Sequence, residues 1–490
     1  MKNFSIVAFL IIAIVIATMF LFETPEIKTV QVYGDLTESF DIKQLYALEP
    51  DLFQKINYKE TKMMAIEGSV FLEKLPKVYP DNDIYLISND GFMNKIEGET
   101  LVGTHIGYSE EYGWVFESEK HPPNSGVRQI QTILVVKNSK EINHQYGLNI
   151  INVESEVTYH FSIGELYLKP YKHLNYLDGI SEKTVEGITY KVPGMKIKKV
   201  LQIGELIDES FKMQLMMTSE GDYEYFASDG GYIELSGHQL NYIVPETFNI
   251  YNDLKGIIIN PPTTTVMDTY DEVIHSLKQD ENIMVIFMDG FSYTQYTYMK
   301  NNLETYLNTL TEASVANTIF KPVTNAGFAA MITGETPKVN GVLNRSYREL
   351  NTPDIFEYAL GNNLEAILIE GDINILDTTL KPILNIDRNG NNMADDEIYE
   401  TTMKALESDY DLMMIHLHSL DEMGHDYGPL DKKTIEQLLI LDGYIEDFIL
   451  KWDGKVIITT DHGMHKVDDA GDHGEFRYED MIVPYISIKQ

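Results

Sequence analysis

Cysteine is absent from the 490 residues, which excludes a disulfide framework and any thiolate metal ligand. A transition metal bound here must therefore be held by histidines and carboxylates, donors that suit Zn²⁺ and, less often, Mn²⁺. Positive charge is also scarce, with 38 Lys and Arg against 76 Asp and Glu and a formal charge of −38. A broad basic face cannot form on such a chain, so no nucleic-acid polymer is expected as a partner. A small anionic substrate would be drawn in by local positive charge, which bound divalent metals can supply.

Long apolar runs are equally rare. The notable one is Phe4 to Phe22, nineteen uncharged and almost wholly apolar residues preceded by Lys2 and followed by Glu23 and Glu26. That length spans a bilayer as a helix, and the charge order favours a cytoplasmic N-terminus with the rest of the chain outside. The expectation is a single-pass anchor in the cell membrane. A cleaved signal peptide, leaving a secreted protein, is the alternative, although Ala13 and Ala17 do not form an Ala-x-Ala site.

The length predicts two to four domains. We expect an anchor or signal segment at 1–28, β-rich domains at 29–140 and 141–260, and a metal-dependent domain at 275–490. A Pro/Thr-rich stretch around Pro261 and Pro262 serves as the linker. Upstream of it, short runs such as "KTVQVYG", "QTILVVK" and "KVLQIGEL" read as strands. The two β-rich domains read as a duplication, because Phe40, Ile42, Leu45, Tyr46 and Pro50 recur as Phe161, Ile163, Leu166, Tyr167 and Pro170. A second echo, Tyr85 with Tyr225, has an offset about twenty residues larger, which requires an insertion between the matches. The pattern also resembles the small β-rich domains of molybdopterin oxidoreductases, but those use a cysteine that this chain lacks, so a structural or substrate-presenting role is expected.

Downstream of Glu281, apolar strands alternate with amphipathic helices, the pattern of a mostly parallel sheet between helices in an α/β domain. "NIMVIFMD", "EAILIEGD", "DLMMIHLHSLD" and "KVIITTD" read as buried strands. From Thr434 a helix is predicted with Ile435, Leu438, Leu439, Ile445, Phe448 and Ile449 as its apolar stripe. Asp289, Asp421 and Asp461 each fall at or just beyond the carboxyl end of a strand, the edge where open α/β sheets bind ligands.

Around these three lie Thr324, His425, His462 and His473. Two zinc ions about 4 Å apart can clamp the attacking and departing oxygens of an in-line phosphoryl displacement, and the seven residues divide between two such ions. Asp421, His425 and His473 suit one; Asp289, Asp461, His462 and Thr324 suit the other. Asp421 and His425 are four apart and can reach one ion from a single helical turn. Thr324 is the expected nucleophile, at the start of a short helix whose first N–H groups would face phosphate oxygens, with the Asn325 amide as a further donor.

These segments resemble the alkaline phosphatase superfamily, most closely its type I phosphodiesterase/nucleotide pyrophosphatase branch, over about Asn282 to Gln490. "DEMGHDYGP" at Asp421 carries the motif most particular to that branch, and "TTDHGM" and "GDHGEF" fit it. The resemblance implies a two-zinc site, an alkaline-phosphatase-like α/β core and hydrolysis of phosphodiester or pyrophosphate bonds through a phosphothreonine. The Thr-Asn pair is also similar to the nucleophile segment of phosphonoacetate hydrolases, which keeps phosphonates open as substrates. Phosphomonoester hydrolysis and phosphoryl transfer to a surface polymer need the same parts. Cysteine-derived sulfatase chemistry is excluded. A reading of another class is a non-catalytic surface binding protein, against which an intact Thr324 argues.

Three further features have a plainer reading beside the functional one. His416 and His418 would support the metals from behind or, more simply, pack within their strand. Arg345 and Arg348 would pair with a substrate phosphate or carboxylate, or be ordinary surface arginines. Asp387, Asn389 and Asn391 alternate as in a calcium loop, yet Gly390 is misplaced and Ile398 stands where a closing glutamate belongs. A turn leading into an acidic helix start at Asp395 and Asp396 fits that segment better.

Overall fold

A computed structural model describes residues 27–59, 61–247 and 249–489. The apolar run Phe4–Phe22 lies outside these residues. Among the described residues no helix is long and apolar enough to cross a membrane. Mixed α/β structure makes up two compact units, one reaching Glu141 and the other beginning at Ile142.

The first unit is built from two four-stranded sheets. In one, Gln31–Gly34 runs parallel to Ile130–Lys137, which pairs antiparallel with Asn82–Ser88 and through it with Met93–Ile96. The other is an antiparallel series of Phe53–Tyr58, Thr61–Glu67, His105–Ser109 and Gly113–Glu117. Ile66, Phe71, Ile84, Ile106, Phe116 and Ile133 fill the core between strands and helices.

The second unit opens with the same strand order. Leu148–Asn152 runs parallel to Leu254–Ile259, which pairs antiparallel with Met213–Thr218 and through it with Tyr223–Ala227. A second sheet runs Lys172–Val185, Ile188–Leu201, Tyr232–Ser236, Gln239–Val244 and Asn249–Tyr251. The first sequence echo falls on equivalent helices, Ile42–Leu48 and Ile163–Tyr167. Between the echoes, a hairpin with strands of 6 and 7 residues in the first unit corresponds to one with two strands of 14 residues in the second. The longer hairpin holds the extra residues, and they stand away from the sheet: Ile188, Val192 and Ile197 are 59, 63 and 69% exposed.

Pro261 and Pro262 do not form a free tether. Thr264–Thr265 immediately beyond them joins the edge of the C-terminal sheet beside Ser314–Asn317. Ile151, Leu215, Met217 and Ile258 of the β-rich part share a core with Phe476, Tyr478, Met481 and Ile482. Two hydrogen bonds cross the same boundary, Asn317 Nδ2 to Tyr223 Oη at 2.7 Å and the Tyr478 amide to Thr158 Oγ1 at 2.9 Å.

The C-terminal sheet has eight strands in the order Thr264–Thr265, Ser314–Asn317, Ile482–Lys489, Lys455–Thr459, Ile283–Met288, Leu412–Leu417, Ala366–Glu370, Ile383–Leu384. All neighbours are parallel except at Ile482–Lys489, which is antiparallel to both of its partners. Both faces are covered, so the strands are apolar on both sides. Ile283, Val285 and Phe287 face one core with Phe328 and Ile332, whereas Met284, Ile286 and Met288 face another with Leu438, Leu441 and Phe448. Helix Lys432–Lys451 buries Ile435, Leu438, Leu441, Ile445, Phe448 and Ile449. Leu439 is 41% exposed, and Leu441 takes the place expected for it. A 100° advance per residue carries 439 off the stripe.

Candidate metal centre

Lys455–Thr459, Ile283–Met288 and Leu412–Leu417 are adjacent parallel strands, so their carboxyl ends share one edge. Asp289 immediately follows the middle strand, Asp461 lies two residues past its neighbour, and Asp421 sits in helix Ser419–Tyr427 beyond the third. Thr324 opens helix Thr324–Thr333, whose preceding residue Val323 supplies no side-chain cap. The first amides of that helix are thus without intrahelical acceptors. Two glycines permit the convergence. A Cβ on Gly327 would lie 2.4 Å from the Asp461 carbonyl oxygen, and Gly290, at φ +73°, would place one 2.8 Å from Asp421 Oδ1.

All seven residues singled out by spacing meet at this edge. His462 Nε2 lies 3.4 Å from Asp289 Oδ1, 3.2 Å from Asp461 Oδ2 and 3.5 Å from Thr324 Oγ1. His425 Nε2 is 3.4 Å from Asp421 Oδ2, and His473 Nε2 is 3.7 Å from Asp421 Oδ1. Each imidazole directs Nδ1 at a backbone carbonyl: His425 at Gly471 (3.0 Å), His462 at Gly463 (2.9 Å) and His473 at Pro322 (2.9 Å). A carbonyl only accepts, which assigns the proton to Nδ1 and leaves Nε2 with a lone pair. Those lone pairs face carboxylate oxygens.

Such an arrangement repels itself unless a cation stands between the donors. Asp289 Oδ1, Asp421 Oδ1 and Asp461 Oδ2 are buried and accept no hydrogen bond among the described residues, a cost that coordination removes. Burial, together with the charge of Asp289, pushes the Asp421 and Asp461 carboxyls well above their usual range. Burial holds His462 down to about 4, and burial with the neighbouring His462 holds His473 down to about 2. Both imidazoles are thus kept neutral, the form that binds metal. The seven residues fit divalent metals bound by nitrogen and oxygen.

Behind this set, Asp289 is held by two histidines. His416 Nε2 is 3.2 Å from Asp289 Oδ2, and His418 Nδ1 is 3.7 Å from the same oxygen. The Gly371 amide donates to His418 Nε2 at 3.2 Å, which places the His418 proton on Nδ1, facing Asp289. Burial works against charge on His416, but Glu370 and Asp289 outweigh it and hold the imidazole up to about 10. Plain strand packing does not describe these histidines. The pairing of Phe287 with His416 across the sheet puts the ring beside the residue that follows Met288, a proximity that strand periodicity alone could not reveal.

Asn325 departs from its expected role. Its Nδ2 donates to the carbonyls of Tyr347 (3.0 Å) and Ile375 (3.2 Å), so both amide hydrogens are committed to the protein. Arg348 turns away to the Asn374 carbonyl at 3.1 Å, whereas Arg345 reaches the centre. In the 387–393 loop, Asp387 accepts the amides of Gly390 and Asn392, Asn389 that of Asn391, and Asn391 that of Met393. Their oxygens serve as acceptors for the loop's own amides, as the turn reading expects. Asp395, in the first turn of the helix that follows, accepts the amides of His418 (2.9 Å) and Ser419 (3.0 Å), fixing the start of the Asp421 helix. Neither Glu370 nor Asp395 stands in a recognisable motif.

Comparison with known proteins finds a likeness for part of the chain. Residues 372–484 match the family model of type I phosphodiesterase / nucleotide pyrophosphatase. No curated protein matches the chain. Solved structures that align include mouse ectonucleotide pyrophosphatase/phosphodiesterase 5, also as an inactive variant in complex with AMP, at 14% identity and a TM-score of 0.29. The human protein of the same name aligns at 13% identity and a TM-score of 0.31. Each alignment covers 38% of this chain and 58% of the other. By its motifs and by the matched segment, the C-terminal region is similar to the type I phosphodiesterases and nucleotide pyrophosphatases of the alkaline phosphatase superfamily.

Proposed function

We propose that this protein is a metal-dependent hydrolase of phosphoric esters, acting on phosphodiester or pyrophosphate bonds of a small substrate through Thr324. The observation that carries the reading is the set of imidazole lone pairs facing buried carboxylates, with the Thr324 hydroxyl 3.5 Å from His462 Nε2. The family match over residues 372–484 supports the reaction class. Asp421, His425 and His473 would hold one cation; Asp289, Asp461, His462 and Thr324 would hold the other. The donor set favours zinc. Two such ions supply the positive charge that acidifies a hydroxyl and offsets charge on a phosphoryl group.

Thr324 Oγ1 loses its proton to solvent and bonds to phosphorus as the bond to the departing oxygen breaks on the opposite side. The departing oxygen takes a proton from water. Amides at the start of helix Thr324–Thr333 receive the phosphoryl oxygens. Attack of water on the phosphothreonine then releases phosphate or a phosphomonoester and restores the hydroxyl. A metal site that only stabilised the fold would have no use for a threonine in this position, which favours catalysis over simple binding. The run Phe4–Phe22 supports export of the domain, as a single-pass membrane protein or, if cleaved, a secreted one.

The test is hydrolysis of nitrophenyl phosphodiester, phosphomonoester and phosphonate substrates by the zinc-loaded full chain, beside Thr324→Ala and chelated protein. Diester hydrolysis lost in both is the expected result. Equal rates for variant and parent would remove Thr324 as nucleophile.

A further inference from the structure

Asp480 is wholly buried, yet it belongs to neither proposed set of ligands. It lies in the short helix Tyr478–Met481, just before strand Ile482–Lys489. Each of its three oxygens meets a different donor. Oδ1 lies 2.7 Å from His465 Nδ1, Oδ2 accepts the Glu475 amide at 2.9 Å, and the backbone carbonyl accepts the Gly463 amide at 2.8 Å. Gly463 directly follows His462, and Glu475 stands two residues beyond His473. One side chain and its carbonyl therefore hold the chain beside each of two imidazoles.

Between these two points the chain forms a small hairpin, His465–Val467 with Ala470–Asp472, in which His465 pairs with Asp472. His462 stands at its entry and His473 at its exit. The Gly471 carbonyl within it accepts Nδ1–H of His425 at 3.0 Å, so a third imidazole leans on the same hairpin. Two close approaches seat it. A Cβ on Gly471 would overlap the Gly424 carbonyl of helix Ser419–Tyr427, and a Cβ on Gly463 would overlap the Glu479 carbonyl. Asp480 closes the open end. The His462 and His473 rings stack with centroids 3.7 Å apart, so a shift of either loop is felt by the other.

A buried acid that merely satisfied a nearby amide would need one oxygen. Here the second oxygen engages His465, on the opposite strand of the hairpin, and desolvating a carboxylate is unfavourable unless such partners offset it. We propose that Asp480 is a positioning residue that sets His462 and His473 together, so that the two metal sites are made or lost as a pair. This rests on the reading that those two imidazoles bind separate cations.

The experiment strips the full chain of metal and titrates it with Zn²⁺ against a chromophoric chelator, while native mass spectrometry counts the ions bound. Parent, Asp480→Ala, Asp480→Asn and Ile445→Val are compared; the last removes a methyl group from the core beneath helix Lys432–Lys451, away from the hairpin. Asp480→Ala is expected to weaken both zinc ions by at least about 10-fold, the usual scale for losing a group that orients ligands. Asp480→Asn keeps the shape and one accepting oxygen and should recover part of the loss. Ile445→Val should keep both affinities, which separates positioning from general destabilisation. Unchanged affinities in Asp480→Ala, weakening of one ion alone, or an equal loss in Ile445→Val would each overturn the proposal. A parent that takes up fewer than two ions would instead overturn the two-metal reading, and the pairing of sites with it.

Discussion

His416 joins Asp289 to Glu370, its Nε2 3.2 Å from one carboxylate and its Nδ1 3.5 Å from the other. The three residues sit at the ends of three neighbouring strands, with the histidine on the central one. A fully buried ring thereby fixes the oxygen Oδ2 of Asp289 and leaves Oδ1 as the one turned toward His462.

Removing that ring should loosen Asp289 as a ligand. His416→Ala is expected to weaken zinc binding by about 10- to 100-fold, the usual effect of losing a group that orients a metal ligand. Competition with a chromophoric chelator measures it. His416→Gln, which keeps a donor, should recover part of the loss; identical affinities in all three proteins would sink the idea.

In the metal-free protein, His462 has a folded value of about 4, below the ordinary 6.5. Between these values the unfolded chain binds more protons than the folded one, so this group's contribution is full above pH 6.5 and is lost as pH falls toward 4. Asp421 and Asp461, both raised, act in the opposite sense. The clean measurement is therefore the stability difference between the parent and His462→Gln in chelator. The parent should lose on the order of 3 kcal/mol relative to the variant between pH 6.5 and 4. A difference that does not change with pH would contradict a buried, neutral His462.

Gly290→Ala combines a strained backbone with a Cβ pressed against Asp421. On the proposed two-metal reading, we expect a stability loss of about 1–3 kcal/mol and a fall in bound zinc from two ions toward one, read by thermal unfolding and metal analysis. Two full equivalents with an unchanged Tm would show that Asp421 can give way.

The long hairpin makes the opposite prediction. Ile188, Val192 and Ile197 are exposed, so changing each to Thr should alter stability by no more than about 0.5 kcal/mol. Denaturant unfolding checks this. A larger loss would mean that the hairpin packs against something in solution.

The parts legible in the sequence were those with local signals. Apolar runs marked the four central strands, helical spacing marked Lys432–Lys451, and short motifs bore the residues that converge at the sheet edge. What escaped depends on neighbours distant in the chain. Glu370 faces His416 only because Ala366–Glu370 pairs with Leu412–Leu417 in one register. The Asn325 amide reads as a free donor until Tyr347 and Ile375 fold over it. Arg345 and Arg348 are alike on paper, yet one faces the imidazoles and the other a loop carbonyl.

Strand Ile482–Lys489 lies between Ser314–Asn317 and Lys455–Thr459. Thr324 follows the strand on one side of it, while Asp289, Asp421 and Asp461 belong to strands on the other. A nascent chain emerging in order from the ribosome therefore has every donor translated before the strip that unites them. The hydroxyl and the carboxylates are brought to one edge only when that segment fills the gap, so a single strand decides whether the two groups of donors meet at all.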